Sequence, residues 1–474
     1  MNVAIIESVV YLATASLVLL GLRLLSSPKT ALPGNRIAAI GMTVAIVATL
    51  IRYRIFDPFL VYPAIVLGSC IGAWLSRKVL MTQIPQLVGL FNGLGAGASA
   101  LIPIMEIINS YSANSYPTMD LFWKSTAVLG IIVGIVTFSG SIVAACKLHG
   151  IIQEKPVELS QHTAISYVLL VTFGALGYLA VQSTNEMAIP WALVITVVSA
   201  LYGVVLLVRV GGADMPVMIA FLNSMHGIAA AIVGFVVENS LLIAIGAIVG
   251  ASGYILTRIM CKAMNRSLMD VFKGKIIKAE TVFEPKLQRA AIENAVPREA
   301  VRDPVEAAYE ILKDAKKAII IPGYGMAASQ SQGFVKQLLD LLEQRGVDVK
   351  FAVHPVAGRM PGHMNVILSE VDVPYDKLVE MDTINPEFPQ SDAAIVVGAN
   401  DVVNPAALTA KGTPIYGMPI LEAYKAKKVL VFKRSKAAGY AGVENPLFDM
   451  ENTIMVYGDA SQRLSQLVEK LRAD

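Results

Sequence analysis

The sequence predicts two unlike parts in one chain: a bundle of about nine membrane-crossing helices, then an α/β domain with a parallel sheet covered by helices. Three observations predict it. Hydrophobic residues make up 55% of the 474 and charged residues only 16%, against roughly 25% charged in average soluble domains. The charge is uneven, with 12 Lys/Arg and 9 Asp/Glu in residues 1–260 and ordinary globular composition after them. Apolar runs of membrane-spanning length fill the first part, whereas short β-rich runs alternate with helical patterns in the last. These features argue against a simple soluble enzyme and exclude a disordered chain and a collagen-like chain. The net charge of +3 averages two dissimilar halves and so says little about partners; no nucleic-acid partner is expected. Cys70, Cys146 and Cys261 lie in or beside the apolar part, so neither a disulfide framework nor a metal site is expected.

Taken in order, the candidate spans are 3–22, 37–51, 58–76, 86–108, 125–146, 164–181, 188–208, 215–237 and 240–260. Their lengths suit ~30 Å of hydrocarbon at ~1.5 Å per residue, the second being the shortest. Turn and charge signals separate them: Ser27-Pro28-Lys29, Arg52 to Arg54 with Asp57-Pro58, Arg77-Lys78, Ser115 to Pro117, and Lys155-Pro156. Nine spans put the two ends on opposite sides. With loops assigned alternately, one side receives 11 Lys/Arg up to Arg266 and the other only Arg52, Arg54 and Lys124. The positive-rich side carries the C-terminal part, so the N-terminus is expected outside and the α/β domain in the cytoplasm, or in the matrix of an organelle.

Polar residues inside spans are costly to bury in lipid and therefore informative. Only one of the five histidines, His226, falls near mid-span, in Asn223-Ser224-Met225-His226-Gly227. An imidazole titrates near neutral pH and can take up and release a proton within a cycle; packing against a neighbouring helix is the competing reading. Asn92, in Leu90-Phe91-Asn92-Gly93-Leu94-Gly95, has a similar setting, and Asn92 and Asn223 together could hold water in a polar seam. Glu106 lies nearer a helix end and reads as interfacial. Asp214 begins the eighth span, where an acid complements a helix N-terminus.

The expected organisation is a transmembrane domain over 1–262, a linker over 263–290 and a nucleotide domain over 291–474. In the last, a helix is expected at 304–315 and strands at 318–321, 349–353, 393–397, 414–416, 428–432 and 453–457. The first strand runs into Gly323-Tyr324-Gly325-Met326-Ala327-Ala328, a G-x-G-x-x-A pattern before the helical run Val335–Leu342. Such a pattern gives a tight turn at Gly323, close approach of a pyrophosphate at Gly325 and close helix–strand packing at Ala328, the signature of a Rossmann-like dinucleotide site. No carboxylate ends the second strand, where a site for the unphosphorylated nucleotide would need one; the chain reads His354-Pro355-Val356-Ala357-Gly358-Arg359-Met360-Pro361-Gly362-His363. Instead Lys433-Arg434-Ser435 follow the strand at 428–432, two cations suited to a 2′-phosphate. Ala437 to Gly442, which includes Gly439 and Tyr440, is small enough for a lid. Gly398-Ala399-Asn400-Asp401 places an amide and an acid at the same sheet edge.

These motifs, with Gly211 to Pro216 and Leu222-Asn223-Ser224, resemble the β subunit of the proton-translocating NAD(P) transhydrogenase family over essentially the whole chain. The resemblance implies an enzyme that passes hydride between NAD(H) and NADP(H) and couples this to proton movement. It implies NADP(H) on this chain, NAD(H) on a partner α subunit, a dimer of α–β units, and a bacterial inner membrane. In the family the NADP lies reversed relative to ordinary Rossmann sites. Lys433 and Arg434 match the 2′-phosphate contacts, Tyr440 belongs to the lid, and Asp401 matches an acid that links redox state to proton uptake. Some members carry a membrane histidine at the position of Asn92; here His226 is expected to carry the proton instead, with Asn92, Asn223, Asp214 and Asp401 in the coupling path. From the residues alone, an ion channel or carrier gated by a nucleotide-sensing domain fits as well, as does an anchored NADP dehydrogenase.

Overall fold

The computed structural model describes residues 3–25, 28–52, 59–79, 83–153, 156–157, 161–264, 267–273, 303–360 and 362–474. The expected linker 263–290 lies mostly outside them, as do residues 291–302 and Pro361. The chain divides into two compact units, one built essentially from the residues up to Arg258 and the other around a sheet.

Among the described residues the first unit holds nine long helices: α1 (Val3–Leu25), α2 (Pro28–Arg52), α3 (Val61–Lys78), α4 (Ile84–Ser112), α5 (Leu121–His149), α6 (His162–Val181), α7 (Asn185–Val208), α8 (Met215–Val236) and α9 (Ser240–Ala263). Seven of these, α2 and α4 to α9, are long and apolar enough to cross a membrane. The short second span becomes a full-length helix because Pro28 occupies its first position and Pro33 is accommodated inside it. Helix α5 is the hub, packing on α4, α6, α7 and α8. Small residues let α4 and α5 approach: a Cβ on Gly134 would lie 2.8 Å from that of Ala100, and Gly89 faces Ala145. Lipid supplies no hydrophobic drive between helices, so close packing of this kind holds the bundle together.

The second unit is a six-stranded sheet, β1 (Lys317–Pro322), β2 (Asp348–Val353), β3 (Leu378–Glu380), β4 (Ala393–Val397), β5 (Lys428–Lys433) and β6 (Thr453–Tyr457). The order is β3-β2-β1-β4-β5-β6 and every pairing is parallel. This is the doubly wound Rossmann order, with its switch point between β1 and β4. Central strands are buried on both faces, hence their unbroken aliphatic runs; Ile319, Ile321, Val396 and Val431 are fully buried in one core with Phe388 and Leu447. The helix Pro304–Lys313 starts on an Asp303 cap and Ala460–Ala473 on an Asp459 cap.

Two strand assignments differ from expectation. Residues 414–416 form no strand: Pro414, Gly417 and Pro419 punctuate the segment, Gly417 N–H bonds the Ala407 carbonyl at 2.7 Å, and Ile415 is buried in a small satellite core. The sixth strand is instead β3, three residues long and paired only with β2. At the edge opposite the loops, the Asp392 carboxylate accepts from the Lys316 and Lys317 amides at 2.9 and 3.0 Å and from Lys427 Nζ at 2.8 Å. It thereby ties together the starts of β1, β4 and β5.

Candidate functional site

The C-terminal ends of β1, β2, β4 and β5 bring the predicted nucleotide motifs to one sheet edge. The turn after β1 packs directly on the turn after β4: Gly323 N–H bonds the Val397 carbonyl and Gly325 N–H bonds the Gly398 carbonyl, both at 2.9 Å. A Cβ on Gly325 would lie 2.7 Å from Gly398 Cα, and one on Gly323 would fall on Ala399. The glycines are thus required by the neighbouring loop, and the Gly325 amide is already spent there. Ala328 is exposed, which overturns its expected close packing on the strand; Met326 and Ala327 fill that place because the helix Tyr324–Ala328 is a single short turn.

Four side chains from three loops converge nearby. The Arg359 guanidinium lies 4.5 Å over the Tyr324 ring and donates to Tyr440 Oη at 3.0 Å. Tyr324 is 6.2 Å from the His363 ring and 6.3 Å from that of Tyr440. His363 Nδ1 accepts from the Arg359 amide at 2.8 Å, which folds the turn around Gly358. Ala357 and Met360 are buried and Val356 packs on the main core, so these three shape the turn.

The segment after β5 is fastened over this edge. Asp401 Oδ2 accepts from the Ala441 amide at 3.0 Å, and a Cβ on Gly439 would meet Asp401 Oδ1 at 2.5 Å. Asn400 Nδ2 donates to the Ala437 carbonyl, while Asn445 Nδ2 donates to the Asn400 carbonyl at 3.1 Å. Lys433 Nζ donates to the carbonyls of Ser435 and Ala437, whereas Arg434 and Ser435 are exposed. Burial pushes the Asp401 carboxyl up, against the pull of the Ala441 amide and Lys433; burial likewise pushes Lys433 down, against the pull of Asp401. Asp401 Oδ1 is buried and has no hydrogen-bond partner among the described residues. Lys433 and the exposed Arg434 at the end of β5 suit a phosphate, the Tyr324–Tyr440 pair suits a ring, and the unused Asp401 Oδ1 suits a ligand N–H or O–H, so the residues fit a phosphorylated dinucleotide.

In the helical unit, α4 and α8 meet at His226. The imidazole lies against Gly95, so that a Cβ there would sit 2.6 Å from Nε2 and closer still to Cε1. Asn92, one turn earlier on α4, is buried, and its Nδ2 has no partner among the described residues. Asn223 and His226 are both half-buried, one turn apart on α8. Asp214 is buried at the start of α8 but makes no capping hydrogen bond to it.

A sequence profile described as NAD(P) transhydrogenase beta subunit matches residues 7–470. The NAD(P) transhydrogenase subunit beta of Rhodospirillum rubrum is 43% identical over 464 residues, covering 97% of this chain and 98% of its own. The subunit of the same name from a named strain of that organism matches to the same extent. The chain belongs to the NAD(P) transhydrogenase beta subunit family.

A transhydrogenase is an oxidoreductase, and a subunit named beta implies an alpha partner. Most of the predicted site residues of this family member fall at two places: Gly323, Tyr324, Gly325, Val356 to Met360, Gly398 to Asp401, Lys433, Gly439 and Tyr440 at the sheet edge, and Asn92, Asn223 and His226 within one turn of the place where His226 of α8 meets Gly95 of α4. Sequence reasoning missed Asn404 and Asn445. Each precedes a proline and caps its own turn, Asn404 Oδ1 from the Ala406 amide and Asn445 Oδ1 from the Leu447 amide, both at 3.0 Å. The Asn-Pro pairs were a legible turn signal; their reach to Glu444 and Asn400 was not. Lys147, one of the 11 Lys/Arg assigned above to loops of the positive-rich side, is the other departure. That side chain is fully buried and donates to the Val208 and Val210 carbonyls at 2.6 and 2.8 Å, closing the end of α7.

Proposed function

We propose that this beta subunit binds NADP(H) at the C-terminal edge of its sheet and, with an alpha subunit that holds NAD(H), passes hydride between the two coenzymes. We further infer that this exchange is coupled to proton translocation through α4 and α8. One observation supports the reading above the others: Lys433 ends β5 near a buried acid that fastens the segment 437–442, with Arg434 next in the chain, while an imidazole sits among membrane helices of the same chain.

A nicotinamide supplies the hydride chemistry when bound; the protein needs no side-chain acid or base for that step, only position. Arg434 would hold the 2′-phosphate by charge-assisted hydrogen bonds, joined by Lys433 once it leaves the Ser435 and Ala437 carbonyls. Tyr440, held by Arg359, tethers the lid to the turn after β2. Asp401, its carboxyl raised by burial, can hold a proton at Oδ1 near neutral pH more readily than an ordinary aspartate. His226 carries the proton across, with Asn92, Asn223 and Asp214 in its path. Coupling requires that the oxidised and reduced coenzymes favour different conformations of the subunit, because a ligand shifts an equilibrium only by its differential affinity. The boundaries proposed are 1–262, 263–290 and 291–474, in an α–β dimer of a bacterial inner membrane with the sheet on the cytoplasmic side.

The decisive experiment is titration of segment 290–474 with NADPH and with NADH. Tight binding selective for NADPH is expected, and Arg434→Ala should cost roughly tenfold or more in NADPH affinity with little effect on NADH. Equal affinity for both coenzymes would refute the assignment.

A further inference from the structure

We infer that Gly95 is the seat of His226: the absence of a side chain on α4 at this position sets where the imidazole of α8 stands. The inference deepens the proton-carrier reading and rests on it. No other residue type leaves this space open. The first carbon of a side chain at position 95 would stand 2.6 Å from Nε2, 3.3 Å from Nδ1 and closer than either to Cε1 of His226, well inside contact distance. The backbone around Gly95 is regular helix in the middle of α4, so nothing in its conformation calls for glycine there. The ring alone does.

The same side of α4 also carries a buried amide. Asn92 precedes Gly95 by one turn on the same side of α4, buried, with Nδ2 lacking a partner among the described residues. Gly95 and Asn92 thus share one side of α4, the first carrying the ring and the second an unused amide donor, in a bundle where each unpaired polar group is expensive. Ser99 Oγ bonds the Gly95 carbonyl at 3.1 Å, so the backbone under the ring is already satisfied and the ring covers it without competing. By contrast, Gly97 faces Phe138 of α5, where an added Cβ would lie 3.0 Å from Cδ2. The two glycines of Gly95-Ala96-Gly97 thus do different work: one seats a titratable ring, the other packs two helices.

The test uses the complete alpha–beta enzyme in vesicles, with five variants: Gly95→Ala, His226→Ala, Gly97→Ala, and the two double variants that combine each glycine change with His226→Ala. Hydride transfer with proton uptake, thermal midpoint and NADPH affinity are measured for each. Gly95→Ala should lower the coupled rate at least about tenfold, since a displacement near 1 Å can cost on the order of a hundredfold. Its NADPH affinity should stay unchanged. It should lower the midpoint when the ring is present and leave it unchanged when His226 is already alanine, whereas Gly97→Ala should lower the midpoint equally in both backgrounds. A wild-type coupled rate in Gly95→Ala, or a midpoint loss independent of the ring, would overturn the seat. If His226→Ala alone retains the coupled rate, the proton-carrier reading fails, and the midpoint cycle still decides whether Gly95 seats the ring.

Discussion

His354 shows what one buried side chain contributes. It is 2% exposed, its Nε2 faces the Pro419 carbonyl at 2.8 Å and its Nδ1 accepts from the Val356 amide at 3.3 Å. That arrangement holds the neutral ring, and burial pushes its pKa down to about 4 from the ordinary 6.5. The folded form therefore disfavours the proton that the unfolded chain accepts. This contribution to stability is complete above pH 6.5 and is lost as pH falls toward 4, to the extent of roughly 2–3 kcal/mol. His354→Gln should flatten that slope in pH-dependent thermal unfolding. Asp392 acts at lower pH. Lys427 and the Lys316 amide hold its carboxyl down to about 2, below the ordinary 3.8, so its stabilisation is present above pH 3.8 and fades as pH falls through 2. Its side chain is 27% exposed, and solvent screening reduces the effect to about 1–2 kcal/mol. Asp392→Asn should lower the midpoint at pH 7 and match the parent near pH 2. Neither role could be read from the sequence, because each depends on partners far along the chain.

At the scale of the element, the two turns at the switch point stand or fall together. Gly398 has φ +66°, and a Cβ there would lie 2.5 Å from the Gly325 carbonyl carbon. Gly398→Ala combines a left-handed backbone cost of ~1–2 kcal/mol with overpacking of ~1–3 kcal/mol. Gly346, at φ +82° with open space around it, carries only the first. Unfolding measurements on the pair should separate them, and similar losses would mean that the two turns part easily. The elements themselves were largely legible. Strands 393–397 and 453–457 and the helices flanking them follow from aliphatic runs and period. The three-residue β3 was not, because it is too short to show alternation and exists only through pairing with β2. Residues 414–416 misled because β-type side chains outweighed the glycine and prolines around them.

For the whole molecule, the sheet unit closes its own core, with Ile319, Ile321, Val396, Val431 and Leu447 fully buried by its own residues. Residues 303–474 produced alone should then melt in one cooperative transition, and calorimetry should give the same midpoint with and without detergent. A broad or absent transition would mean that the sheet needs the helical unit to fold. In the bundle, α5 has no lone apolar stripe because neighbours surround it, so no period in its sequence could say which helix lies on which side.

Composition and period in this sequence determined the two-part organisation, the nine helices, the wound sheet and the glycine and lysine–arginine motifs that point to a phosphorylated dinucleotide. All of these are local properties, carried within one segment. Only the tertiary structure decided that Gly325 touches Gly398, that Asp401 is fastened to the lid, and that Gly95 lies beneath His226. Those pairs are separated by 40 residues or more in two of the three cases and by more than 100 in the last. They are decided by which faces two packed elements turn toward each other, a choice that neither segment encodes alone.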